Sequence, residues 1–124
     1  MSGKEYPDSK EFMGNELSEY IFIPKFIVED RYYKRISAEA KLLYALFIQL
    51  ALEAERNGQQ DSYGNAYITI TIKEIREFLN CSAHKAQDVL KELDCRHGVG
   101  LICKSGLGRG YKTNIYVNLY EKNE

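Results

Sequence analysis

Apolar residues recur along this chain at two periods, and the points where one period replaces the other divide it into elements. After Ser37, the run AEAKLLYALFIQLALEAER puts Leu43, Leu46, Phe47, Leu50 and Ala54 on one side of a helical wheel and Tyr44, Ile48, Ala51 and Leu52 on another. Ser37 predicts the N-cap, and Asn57 with Gly58 supplies the stop. A helix that is apolar on both sides is covered on both sides, so one face meets the domain core and the other meets residues 20–28, a second subunit, or both. The β-branched run YITIT at 67–71 reads as a short strand. Thr71 and Glu74 then form a Thr-x-x-Glu capping box that opens a helix with Ile72, Ile75 and Leu79 as its buried stripe and Phe78 beside it. Asn80 ends that helix. Only Cys81 and Ser82 precede the next one, CSAHKAQDVLKEL, in which Ala83, Ala86, Val89, Leu90 and Leu93 line one stripe and His84, Asp88 and Lys91 lie opposite. Two short helices separated by so short a turn make a helix-turn-helix pattern.

The second helix fades around 94–98, and GLICKSGLGRGYKTNIYVNLY follows as strand, glycine-rich turn and strand, with arms at 101–105 and 113–119. Helix, strand, helix, turn, helix, hairpin is the order of a winged helix: an α+β fold, mainly α, with a C-terminal β-hairpin wing. Upstream, YIFIPKFIV at 20–28 is apolar and β-prone, but Pro24 would forfeit a ladder hydrogen bond, which predicts an edge strand or an extended packing segment. Residues 1–19 are polar and aperiodic and are expected to form an arm. The expected organisation is therefore an arm at 1–19, a winged-helix domain at 20–120 and a tail at 121–124.

The totals fit this plan. With 124 residues, 44% of them hydrophobic, the chain can build one core. No run of about 18 apolar residues is present, and the charged start MSGKEYPDSKEF is unlike a secretory signal, so a cytoplasmic protein is expected. Cys81, Cys95 and Cys103 are odd in number and contain no CxxC pair, which fits reduced thiols. The net charge of −1 conceals an uneven distribution: residues 1–80 hold ten Lys or Arg against thirteen Asp or Glu, while residues 81–120 hold six against three. The basic charge thus collects at the second helix of the pair and the hairpin.

That distribution turns the outer side of the second helix into a candidate recognition surface. Ser82, His84, Lys85, Gln87, Asp88 and Lys91 are its candidate DNA-binding residues, with Lys85 and Lys91 suited to phosphates and His84, Gln87 and Asp88 to base edges. On the wing the candidates are Lys104, Arg109 and Lys112, three cations on an acid-free stretch. An ordinary solvated helix face is the plain alternative. For a homodimer interface the candidates are Tyr20, Phe22, Phe26, Tyr44, Ile48 and Leu52, the competing outcome being a segment that folds back on its own helix. Tyr32 and Tyr33 beside Arg31, Lys34 and Arg35 make either a phosphate-touching edge or a solvated loop. Enzymatic chemistry and cofactors are not expected. Gly106, Gly108 and Gly110 are not followed by a helix or a Gly-Lys-Ser/Thr, His84 and His97 have no partner in a nucleophile motif, and Cys95, His97 and Cys103 would need a fourth ligand at unusual spacing to hold zinc.

The stretches YKRISAEAKLLYALF (33–47), GNAYITITIKEIREFLNCSAHKAQDVLKEL (64–93) and GLICKSGLGRGYKTNIYV (100–117) resemble the amino-terminal domain of replication initiator A proteins from plasmids and related mobile elements of Gram-positive bacteria. The combination of SAEAKLLY, LNCSAHKA and NIYV carries the resemblance. It implies a winged-helix domain that binds repeated double-stranded sites at a replication origin, often as a dimer, and that recruits the replication machinery through a separate carboxy-terminal region. Where that family usually has a Lys-Pro-Asn-like turn in the wing, this chain has Gly110, Tyr111, Lys112 and Thr113. The expected function is sequence-specific DNA binding in replication initiation. Its rivals are a transcription regulator built on the same module and a winged helix used only for protein contacts.

Overall fold

The computed structural model describes residues 19–105 and 113–118. Its helices are α1 (Lys25–Glu29), α2 (Ala38–Arg56), α3 (Ile72–Leu79) and α4 (Ala83–Leu93), and its strands are β1 (Ile68–Ile70), β2 (Ile102–Lys104) and β3 (Thr113–Val117). A 3₁₀ turn, Arg31–Arg35, links α1 to α2. The strands form one antiparallel sheet in the order β1-β3-β2, with Ile68 opposite Ile115 and Ile102 opposite Val117. The order of elements and the sheet are those of a winged helix, as expected.

Local chemistry accounts for the helix ends. Ser37 Oγ accepts from the Ala40 amide at 3.1 Å and opens α2, and Gly58 beyond Asn57 takes a left-handed φ of 73°. At α3 both halves of the capping box form: Glu74 N–H donates to Thr71 Oγ1 at 3.0 Å, and Thr71 N–H donates to Glu74 Oε1 at 2.8 Å. Asn80 closes α3 in the left-handed region at φ 55°, a conformation that Asn tolerates better than most side chains. The chain then turns through Cys81, and Ser82 Oγ caps α4 by accepting from Lys85 N–H at 3.1 Å.

Of the edge strand or extended packing segment expected at 20–28, no strand forms, and the second half is a helix. Residues 20–24 carry no regular secondary structure, and Pro24 serves as the N-cap of α1 with φ −62° and ψ 138°, values its ring allows. A helix forms because it sends Ile27 wholly into the core and turns the Phe26 ring edge-on to Tyr33, at 5.4 Å between centroids, and to Tyr44, at 6.1 Å. Burial has overridden β propensity.

This packing answers the question raised by the two-faced helix. Leu43, Phe47 and Ala54 meet the core on one side. On the other, Tyr44 is 0% exposed and donates its hydroxyl to the Asn118 carbonyl at 2.6 Å. Tyr44 is therefore enclosed by its own chain and has no surface for a second subunit, which corrects its placement in a dimer interface. Phe26 is half-buried against it, Ile48 and Leu52 are half-buried, and Tyr20 and Phe22 keep about half of their area exposed. One further core position differs from the wheel. Ala83, in the first turn of α4, is exposed, because only Ala86, Val89, Leu90 and Leu93 reach the core.

Candidate nucleic-acid interface

Apart from Ala83 in its first turn, the face of α4 turned away from the core is polar. Ala86, Val89 and Leu93 are at most 0% exposed and Leu90 5%, so burial anchors one side of the helix while His84, Lys85, Gln87, Asp88 and Lys91 stand outside. The His84 side chain is 87% exposed, with Nε2 3.5 Å from Asp88 Oδ2 one turn on. Lys85 Nζ lies 3.7 Å from Glu39 Oε2 in the first turn of α2, a partly exposed pair that is readily exchanged for another anion. Ser82 spends its oxygen on the cap and presents its hydroxyl at the start of the helix.

Glu92 fixes α4 against α2. Its carboxylate accepts from Ser37 N–H at 2.6 Å and from Ser37 Oγ–H at 2.8 Å, so the amino terminus of α2 receives a negative charge where the helix dipole favours one. The contact spans 55 positions in sequence. Ser37 lies two residues beyond the 3₁₀ turn, whose Arg31, Lys34 and Arg35 are all exposed. Tyr32 stiffens that turn: Arg35 Nη2 donates to its hydroxyl at 3.0 Å, and the guanidinium carbon lies 4.6 Å from its ring centre.

The root of the wing is arranged differently from expectation. Lys104 Nζ lies 3.8 Å from Asp94 Oδ2, and its side chain is only 32% exposed. Lys104 thus points at the carboxyl end of α4 and neutralises a nearly buried acid. Asp94 also receives His97 Nδ1 at 3.4 Å. Burial alone would raise the Asp94 carboxyl; the hydrogen bonds of His97 and of the Arg96 and Cys95 amides, together with the Lys104 charge, outweigh it and hold the group below the usual aspartate range. Arg109 and Lys112, and the glycines 106, 108 and 110, lie outside the described residues, as do residues 1–18 and the tail at 121–124.

Sequence reasoning missed both Glu92 and Asp94 as structural acids. Asp94 left a signal: an acid at a helix carboxyl end opposes the dipole and implies cationic partners nearby. Glu92 left none, since its partner is distant in sequence. Among the described residues, no group of three or more His, Cys, Asp or Glu side chains converges to hold a metal ion, and no helix is long and apolar enough to cross a membrane.

The family model described as "Replication initiator protein A (RepA) N-terminus" matches residues 19–124. No curated protein matches the chain. Among solved structures, one described as "N-Terminal domain of DNA binding protein" is similar at TM-score 0.68 and 23% identity, covering 98% of this chain and 88% of that one. One described as "Structure of Rep-DNA complex" gives 0.68 and 23%, covering 97% and 88%. One described as "Structure of MDR initiator" gives 0.68 and 22%, covering 97% and 90%. At these identities the likeness is one of fold.

Proposed function

Because the chain belongs to the replication initiator protein A amino-terminal family, we propose that it is a sequence-specific double-stranded DNA-binding domain whose helix α4 enters the major groove at origin repeats. The observation that carries this reading is the outer face of α4, on which His84, Lys85, Gln87, Asp88 and Lys91 all stand exposed. A largely polar face on a helix held this firmly from behind suits readout of base edges. His84, Gln87 and Asp88 address base edges in this reading, and Lys85, Lys91, Arg31 and Lys34 address phosphates, Lys85 exchanging Glu39 for the backbone. Arg109 and Lys112 add the wing's contribution to the backbone or the narrow groove. The domain acts by binding, not by chemistry of its own. In a longer parent, contact with the replication machinery falls to a separate region.

The solved Rep-DNA complex of the same fold supports DNA over a partner protein as the ligand. Binding-site selection from a random duplex pool tests the assignment. The wild-type chain is expected to enrich one motif. Gln87→Ala relaxes the preference at one base position, by about 1–3 kcal/mol, whereas Lys85→Ala weakens all sequences alike. An unchanged profile for Gln87→Ala would refute its role. The same experiment reads assembly: two half-sites about one helical turn apart support a homodimer that uses the half-exposed Tyr20 and Phe22 with Ile48 and Leu52, and a single undivided site speaks for a monomer.

A further inference from the structure

The chain reverses after α4 and returns as β2, and the reversal sets two cysteines side by side. Asp94 and Ile102 form a parallel bridge, and Leu101 N–H donates to the Leu93 carbonyl at 2.9 Å. The next residues on the two segments are Cys95 and Cys103. Asp94 and Ile102 are held at the spacing of paired segments, about 4.8 Å, and one position beyond them stand Cys95, at the start of a turn, and Cys103; a disulfide bridges Cα atoms roughly 4.4–6.8 Å apart. Cys95 is exposed and Cys103 half-buried. The nearby Cys95 side chain, ahead of burial, pushes the Cys103 thiol up to about 11. Cys103 therefore keeps its proton at neutral pH, and Cys95 is the sulfur that a solvent-borne reagent meets first. Cys81 is a separate thiol, half-buried against the core at the α3–α4 turn.

We propose that Cys95 and Cys103 are a redox modification site: a dithiol that a peroxide closes into a reversible disulfide, tying the carboxyl end of α4 to the first strand of the wing. The Cys95 thiolate attacks one peroxide oxygen, the O–O bond breaks, and the other oxygen leaves as water after protonation, giving a sulfenic acid. The Cys103 sulfur then attacks the sulfenyl sulfur, and the departing hydroxide takes the Cys103 proton as a second water. Two thiols and one hydrogen peroxide thus become one disulfide and two waters. The ring closed in the chain runs only from 95 to 103, and the side chains of the outer α4 face are not part of it.

The test uses the reduced wild-type chain treated with stoichiometric hydrogen peroxide. Peptide mapping is expected to find Cys95 linked to Cys103 within one chain, with Cys81 still open to alkylation. The melting temperature is expected to rise by about 10 °C and to return on adding dithiothreitol. Serine at either position abolishes the rise in that variant while its own mass shows no intrachain bridge. Oxygen added to Cys95 with Cys103 still alkylatable, or a bridge between two chains through Cys95, would overturn the proposal.

Discussion

Gly98→Ala is expected to destabilise the domain by about 3 kcal/mol or more, a large part of the total stability of a chain this size. Gly98 lies against the last turn of α4, where its own amide donates to the Asp94 carbonyl at 2.9 Å and the Val99 amide to the Glu92 carbonyl at 2.9 Å. A Cβ built there falls 1.9 Å from the Glu92 carbonyl oxygen and 2.4 Å from that of Lys91. Both obstacles are backbone, so no rotamer relieves them, and the helix end or the return toward β2 must move. Gly58 is the comparison. It has a left-handed φ of 73° and nothing within 4 Å of an added Cβ, so Gly58→Ala bears only the conformational penalty of about 1 kcal/mol. Urea unfolding of the two variants checks this. A Gly98→Ala midpoint as close to wild type as that of Gly58→Ala would contradict the close packing.

Asp94 carries the second large effect. The residue is 2% exposed and serves Lys104 and His97 at once. Asp94→Ala strands those groups and is expected to lower stability by about 3 kcal/mol. Because the folded domain holds the Asp94 carboxyl below its ordinary value, the unfolded chain binds the proton more readily, and protonation favours unfolding. The stability Asp94 contributes is thus complete above the ordinary aspartate value near 4 and is lost as pH falls through the lower folded value. Asp61 titrates in the same direction, held low first by the Asn65 amide and also by the Tyr116 hydroxyl, against the effect of its own burial. Unfolding midpoints measured from pH 7 to pH 3 should therefore fall less steeply for Asp94→Asn than for wild type, with a residual slope from Asp61. Parallel curves would contradict the role given to Asp94.

What was legible in the sequence is what depends on neighbours in the chain. Ser37, Thr71 with Glu74, Asn80 and Ser82 declare their helix ends because a cap acts across three residues, and the apolar stripes of α3 and α4 declare their buried sides. What was hidden depends on contacts made across the fold. Pro24 argues against a strand equally well from an N-cap, and only the depth at which Ile27 packs decides for the helix. Tyr44 has the same place on the wheel whether a partner or its own chain covers it; Phe26 and Asn118 show that the chain does. Lys104 reads as a wing cation until Asp94 is found beneath it. The outer face of α4 was legible as a surface, while Glu39, which pairs with Lys85, and the Glu92–Ser37 contact that joins α4 to the start of α2 are announced by no local pattern.

The central claim, that α4 and its exposed cations grip duplex DNA, is tested most directly by titrating the wild-type chain against its selected duplex at several salt concentrations. The account predicts a straight fall of log affinity against log salt, with a slope of about −0.9 for each phosphate neutralised, and a slope shallower by about 0.9 for Lys85→Ala. A wild-type affinity independent of salt, or no binding to any duplex from the random pool, would contradict it.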